Sequence, residues 1–248
     1  MDELDDVLEA LAAGELSVAE AREQLAAAGN VTRVGEFARV DASQAARTGV
    51  PEVVDAERKS PSEVVGIGEQ LLDATGLAIL TNVGTDARKQ LESITDEAEW
   101  YERSGTLVAH AADYTEPIGR GQVVIVSAGT SDIPIAQQAA VLASEMGCTV
   151  ETRYDVGVSS IGRLYAELDT LRESDCVIVA AGREGALATV VAGLVDVPVI
   201  GLPVGTGTGF AGDGEAALMG MLQSCTYLSV VNIDAGFAAG AQAALIAE

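Results

Sequence analysis

The segment Val123-Val-Ile-Val-Ser-Ala-Gly-Thr-Ser-Asp132 decides the fold of this chain. It is a short, continuously apolar run followed at once by small and polar residues that begin a helix. Such a run predicts a strand that is buried on both faces, as in parallel sheets. Four similar runs follow it, with helical segments between them, so we predict a five-stranded parallel sheet in a three-layer α/β/α domain. The predicted strands are Val123–Ser127, Thr149–Tyr154, Cys176–Ala181, Val197–Leu202 and Leu228–Ile233.

The chain before this sheet is less regular, and we predict three domains. Residues 1–30 carry leucines and valines at near-helical spacing, interrupted around Gly14, which predicts a small N-terminal helical hairpin. Residues 31–118 mix short strands and helices in a smaller α/β domain, in which Ser60 and Glu63 form a helix-capping signal. Residues 119–248 form the regular domain, reached through a linker rich in glycine and proline.

The charge of the chain limits its partners. It has 38 acidic and 14 basic residues, which gives a formal net charge of −24 over 248 residues. Such a chain repels nucleic acid and anionic membranes. The acids recur on every predicted helix, and we interpret them as an adaptation to high salt, where screening removes the self-repulsion. We therefore take the charge as a clue to the salt environment and not to the substrate.

The cysteines and apolar segments narrow the class further. Cys148, Cys176 and Cys225 have neither disulfide nor zinc-site spacing. Cys148 and Cys176 each begin a predicted strand and are expected in the core. No histidine, aspartate and glutamate cluster has metal-ligand spacing, and we expect no protein-held metal. No signal peptide or membrane-spanning run is present, so the sequence predicts a cytoplasmic protein.

Ligands of parallel sheets bind where the strands end, and the polar and glycine residues of this domain are concentrated there. Gly129, Thr130 and Ser131 either bind an anion at a helix start or form an ordinary turn capped by Ser131 or Asp132. Glu184 either complements a helix dipole or moves a proton. Cys225, just before the fifth strand, either packs as a small apolar residue or meets a ligand. The other candidate substrate-binding residues are Ser127, Asp155, Arg163, Gly182, Gly205, Gly207, Asn232 and Asp234.

Together these motifs resemble the LarB family, the pyridinium-3,5-biscarboxylic acid mononucleotide synthases of nickel-pincer cofactor biosynthesis. The similar segments, in order, are Arg47-Thr-Gly-Val-Pro-Glu-Val-Val54, Ser-Ala-Gly-Thr-Ser-Asp132, Arg153-Tyr-Asp-Val-Gly157, Ala-Gly-Arg-Glu-Gly-Ala186, Gln-Ser-Cys225 and Val-Val-Asn-Ile-Asp-Ala-Gly-Phe237. The last domain is also similar to the AIR carboxylase PurE, which implies a flavodoxin-like sheet.

The resemblance implies carboxylation of C5 of the pyridinium ring of nicotinic acid adenine dinucleotide, with cleavage of its phosphoanhydride and release of AMP. It implies that Cys225 adds to the ring and makes C5 nucleophilic toward carbon dioxide, which is supplied as CO2 or bicarbonate. Glu184 is the first candidate for the base that removes the C5 proton, and Asp132 is the second. Ser127, Thr130, Ser131 and Arg163 are expected to orient carboxylate or phosphate oxygens.

The resemblance also implies Mg²⁺, carried by the phosphates of the nucleotide substrate, and a homo-oligomer, either a tetramer or an octamer. Two other functions stay open. One is a PurE-like mutase or carboxylase of carboxyaminoimidazole ribonucleotide, although Gly162 replaces the histidine on which those enzymes rely. The other is a non-catalytic nucleotide-binding module, for which Cys225 and Glu184 would be dispensable.

Overall fold

A computed structural model of the chain describes residues 3–27, 31–95, 97–206, 209 and 211–247. These residues form two compact units. Unit 1 comprises Met1–Glu99 and Leu107–Tyr114, and unit 2 comprises Trp100–Thr106 and Thr115–Glu248. No helix in the described part of the chain is both long enough and apolar enough to cross a bilayer.

Unit 1 begins with two helices and a hairpin. Its elements are α1 (Glu3–Ala12), α2 (Val18–Ala27), β1 (Val31–Val34), β2 (Ala38–Asp41), α3 (Gln44–Thr48), β3 (Val53–Asp55), α4 (Pro61–Thr75), β4 (Leu77–Thr81), α5 (Thr85–Glu92), β5 (Ala98–Tyr101) and β6 (Thr106–His110). Strands β1 and β2 pair with each other, and β3, β4, β6 and β5 form a mixed four-stranded sheet in that order. Helix α4 starts with the predicted capping box, in which Ser60 accepts from the backbone of Glu63.

Unit 2 contains the predicted five-stranded parallel sheet. Its elements are β7 (Gln122–Ser127), α6 (Ile133–Glu145), β8 (Thr149–Arg153), α7 (Ile161–Ala166), α8 (Leu168–Glu173), β9 (Cys176–Ala181), α9 (Ala186–Ala192), β10 (Val199–Pro203), α10 (Glu215–Leu222), β11 (Ser229–Val230) and α11 (Gly236–Ile246). The strand order is β11-β10-β9-β7-β8, with every described pair parallel. This is the flavodoxin-like order, and it confirms the predicted fold class.

The apolar runs form strands because helices cover both faces of the sheet. All residues of β9 and β10 are buried. On one face, Val124 and Val177 pack with Leu171 of α8, Leu187 of α9 and Met221 of α10. Cys148 and Cys176 are buried, as predicted.

Helices α6 and α11 pack closely against each other. A Cβ at Gly236 would lie 2.5 Å from the Ile135 carbonyl oxygen, so only glycine allows this approach. Ala139 and Ala243 are fully buried. Small residues therefore bring the two backbones together on one face of the sheet.

Candidate active site

A cleft of ≈ 530 Å³ opens at the carboxyl ends of β7 and β9. The chain leaves β7 toward one edge of the sheet and β9 toward the other, so their loops diverge here and leave a crevice. The residues that line it are Ala128, Gly129, Ser131, Asp132, Gly157, Val158, Ser159, Ala181, Gly182, Arg183, Glu184, Ala186, Leu187 and Thr206. The structure thus brings together Gly129, Ser131, Asp132, Gly182 and Glu184 from the set that the sequence predicted.

Asp132 is the buried carboxyl of the cleft, with 4% of the residue exposed. Its Oδ2 accepts from the Gly129 backbone N–H at 2.8 Å, and its Oδ1 accepts from the Thr206 hydroxyl at 3.1 Å. Burial raises the pKa of Asp132, and hydrogen bonds from Gly129, Thr206, Gly182 and Ser131 oppose that rise. Asp132 therefore ties the loops after β7, β9 and β10 together.

The loops after β7 and β8 are in close contact. A Cβ on Gly157 would lie 2.5 Å from the Ala128 carbonyl oxygen. Ser127 is fully buried; its hydroxyl donates to the Gly129 carbonyl at 3.0 Å and accepts from the Asp155 N–H at 3.2 Å. The Ser127 hydroxyl thus links the two loops, and its predicted contact with the substrate stays a prediction.

Strained backbone is concentrated at this edge of the sheet. Of the described non-glycine residues with positive φ, five follow β8, β9, β10 or β11, and these are Asp155, Arg183, Ala211, Asp213 and Asp234. Such conformations cost of order 1–3 kcal/mol each and persist where the surroundings fix them. The loops around the cleft are therefore held in shapes that their sequences do not favour.

Arg163, on α7, forms an ion pair with Asp155 and a 3.4 Å hydrogen bond to Ser159, which lines the cleft. Its Nε is buried and has no acceptor among the described residues. A buried donor without a partner is costly unless a ligand or water satisfies it. Arg163 therefore remains a candidate to bind an anionic group of the substrate.

Other predicted residues lie outside the cleft lining. Thr130 is exposed in a short 3-10 helix. Asp234 is exposed and accepts from the Gly205 N–H at 2.8 Å, while Asn232 accepts from the next backbone N–H in the loop after β11. Gly207 lies outside the described residues.

Cys225 is exposed, but it is not part of the described cleft lining. It precedes β11, and a loop that enters a parallel strand lies at the amino edge of the sheet, away from the carboxyl ends. The neighbouring Ser224 accepts a 3.0 Å hydrogen bond from Thr189, in the middle of α9. Within one chain Cys225 therefore lies near the middle of α9 and outside the described lining of the cleft that contains Asp132 and Glu184.

Comparison with known proteins agrees with this geometry. The AIR carboxylase family matches residues 122–248, and the family described as "LarB/PurE-like N-terminal domain" matches residues 31–111. The chain is a LarB-like protein. It is also 37% identical over 258 aligned residues to an uncharacterized protein of Methanocaldococcus jannaschii, with 99% of this chain and 97% of that protein covered. These domains indicate a carboxylase-type enzyme.

In this LarB-like protein, the cleft residues that sequence reasoning missed include Arg183 and Thr206. Arg183 has no distinct signal in the sequence between Gly182 and Glu184, yet it has a φ of 49° and lines the cleft. Thr206 stands between Gly205 and Gly207 and has no distinct signal in the sequence, but its hydroxyl donates to Asp132. Only the fold shows that its loop reaches the buried carboxyl.

The described residues contain no group of three or more histidine, cysteine, aspartate or glutamate side chains placed to hold a metal ion. The described lining of the LarB-like cleft contains two carboxylates, Asp132 and Glu184.

Proposed function

We propose that this protein carboxylates C5 of the pyridinium ring of nicotinic acid adenine dinucleotide and cleaves the phosphoanhydride, releasing AMP. Its carboxylase-type domains support this reaction class. The observation that carries the proposal is the cleft at the carboxyl ends of β7 and β9, with the buried Asp132 on its floor and Glu184 on its rim.

The chemistry begins with a thiolate. Cys225 adds to the ring carbon next to C5, and the ring electrons shift to make C5 the nucleophilic carbon of an enamine. C5 then attacks carbon dioxide and forms the new carbon–carbon bond. Removal of the C5 proton restores the ring and expels the thiolate, so that a carboxylate replaces one hydrogen. Water cleaves the phosphoanhydride in a separate step.

Glu184 is suited to accept the C5 proton because it is exposed at the rim of the cleft. Asp132 is suited to a different task. Its buried carboxyl accepts from the Gly129 N–H and the Thr206 hydroxyl, and so holds the loops on the floor of the cleft in place. Arg163, with its unsatisfied Nε, supplies a donor for a phosphate or carboxylate oxygen.

Cys225 lies away from the cleft of its own chain, so the proposal requires that a neighbouring copy supply the thiol. The surface around Cys225 fits an interface between copies, because Met219, Leu222 and Tyr227 are 62%, 65% and 99% exposed. An exposed thiol surrounded by exposed apolar side chains becomes covered when two copies associate. This arrangement supports the predicted homo-oligomer.

The test is to mix the protein in high salt with nicotinic acid adenine dinucleotide, labelled bicarbonate and Mg²⁺. Incorporation of label into a pyridine mononucleotide together with AMP release supports the proposal, and folded protein that forms neither product overturns it. Mixing inactive Cys225→Ala with inactive Glu184→Gln then tests the shared site. Mixed oligomers should regain part of the activity, because some sites combine an intact thiol from one copy with an intact glutamate from another.

One observation favours a second candidate. A carboxyaminoimidazole ribonucleotide mutase or carboxylase needs no thiol, and no described residue of the single-chain cleft is a cysteine. If that is the function, Cys225→Ala retains activity on the imidazole nucleotide, whereas Asp132→Asn loses it.

A further inference from the structure

The hairpin formed by β1 and β2 places two arginines side by side. Arg33 and Arg39 are direct cross-strand partners in its antiparallel register. Both are exposed, whereas Val40, from the alternate set of β2 residues, is 1% exposed. The hairpin thus packs one face against the protein and presents both guanidinium groups to solvent.

This placement is unfavourable in isolation. Like charges directly opposite each other on paired strands destabilise the pair. Neither guanidinium has an acceptor among the residues that the structure describes, although the chain has 38 acidic residues and 14 basic ones. By contrast, Arg47 on the following helix forms an ion pair with Asp41. The two arginines of the hairpin are therefore a local positive site on an acidic protein.

The arginines lie at a cleft of ≈ 390 Å³ that is lined by Arg33, Gly35, Glu36, Phe37, Ala38 and Arg39. Phe37 is 50% exposed; its ring edge lies between Gly35 of the turn and Gly66 of α4, where added Cβ atoms would be 2.9 Å and 3.8 Å from the ring, so one part of the ring is packed and the rest is open to the cleft. The cleft thus combines two guanidinium groups, a partly exposed aromatic ring and one carboxylate. Its small size fits a small ligand better than the surface of a protein.

Each group has a matching part in a nucleoside phosphate. Guanidinium forks bind phosphate oxygens in pairs, and a phosphate between the two arginines would neutralise their repulsion. An exposed aromatic face stacks on a base. A carboxylate accepts hydrogen bonds from ribose hydroxyls.

We propose that the β1–β2 hairpin is a binding site for a nucleoside phosphate, with the phosphate held between Arg33 and Arg39 and the base against Phe37. This site belongs to unit 1 and does not depend on the reaction proposed for the cleft of unit 2.

The test is calorimetric titration of the full chain with AMP, with inorganic phosphate and with adenosine. The variants are Arg33→Gln, Arg39→Gln and the double substitution. Arg58→Gln is the matched control, because it removes one exposed charge from the same unit. Each hairpin substitution should weaken AMP binding by roughly tenfold, as expected for loss of a charge-assisted contact. The control should leave it unchanged.

AMP is also a product of the proposed reaction, so Asp132→Asn in unit 2 is titrated in parallel. AMP binding that survives Asp132→Asn and is lost in the double hairpin variant supports the proposal, whatever the activity of the unit 2 cleft. Phosphate binding as tight as AMP binding would retain the arginine site but remove the role of Phe37. An unchanged AMP isotherm in the double variant would overturn the proposal. So would a double variant that still binds AMP but no longer self-associates, because the arginines would then serve an interface between copies.

Discussion

The Thr206 hydroxyl donates a 3.1 Å hydrogen bond to Asp132 Oδ1, and so joins the loop after β10 to the loop after β7. Gly182, from the loop after β9, lies between them, since a Cβ there would be 3.3 Å from Asp132 Oδ1 and 3.4 Å from Thr206 Oγ1. The protonation of the one buried carboxyl of the described cleft lining is thus linked to the position of a glycine-rich loop.

Replacing Thr206 tests this link. Thr206→Val removes a hydrogen bond that lowers the pKa of Asp132, so that pKa should rise further above its ordinary value. Thr206→Ser keeps the hydroxyl and should leave the pKa near that of the wild type. Side-chain carboxyl carbon shifts, followed by NMR as a function of pH, measure both. Equal pKa values in the valine and serine variants would show that the hydrogen bond has no influence.

The raised pKa of Asp132 also predicts how stability depends on pH. Folded chains hold this proton at pH values where unfolded chains have lost it. The contribution of Asp132 to the free energy of unfolding therefore falls as pH rises from the ordinary aspartate pKa, about 3.9, through the raised pKa. Urea unfolding at stepped pH and constant salt should show the wild type losing stability relative to Asp132→Asn across this window. A wild type that gains stability relative to Asp132→Asn as pH rises would contradict the assignment.

The three thiols should react at very different rates. Burial raises the pKa of Cys148, and burial raises that of Cys176 to about 12, while Cys225 is exposed. An alkylating reagent should therefore label one thiol rapidly in the native protein, and Cys225→Ala should abolish that fast phase without loss of folding. Mass spectrometry of the labelled peptides identifies the site. Protection of Cys225 at protein concentrations that favour association would further support an interface there.

Two glycines make a matched pair for the geometry of the cleft. Gly157→Ala places a methyl group against the Ala128 carbonyl and should cost about 1–3 kcal/mol of stability, as overpacking does, while separating the loops after β7 and β8. Gly162→Ala, on α7, meets no atom within 4 Å and should be neutral or stabilising by at most ~1 kcal/mol. Thermal unfolding and activity of both variants give the comparison. Equal behaviour of the two would mean that the close approach at Gly157 is unimportant.

Much of unit 2 could be predicted because its three central strands, β7, β9 and β10, are buried on both faces. Cys176–Ala181 is a strand with the predicted bounds. The fifth strand was predicted as Leu228–Ile233, but only Ser229–Val230 pairs, since β11 lies at the sheet edge and only β10 fixes its register. The break at Glu167 that separates α7 from α8 was not predicted. The apolar residues before and after it keep the spacing of a single amphipathic helix, so the sequence has no sign of an interruption.

The site was harder to predict than the fold. The sequence shows which residues share a loop, but the chemistry depends on which of their side chains point into the cleft. Ser127 and Ser131 belong to the same motif, yet one is fully buried and the other lines the cleft. For Cys225 a signal did exist. A residue just before a parallel strand belongs to the amino edge of the sheet, and strand direction alone separates it from Glu184.

The packing of α11 against α6 has a consequence for synthesis on the ribosome. Helix α6 is made early in the domain, but the glycine and alanine surface that it contacts, Gly236–Ile246, follows all five strands. On this face α6 alone contacts the sheet until α11 is made, more than a hundred residues after the start of β7. The nascent domain would expose apolar surface throughout that interval, so its native state can form only after α11 has left the exit tunnel.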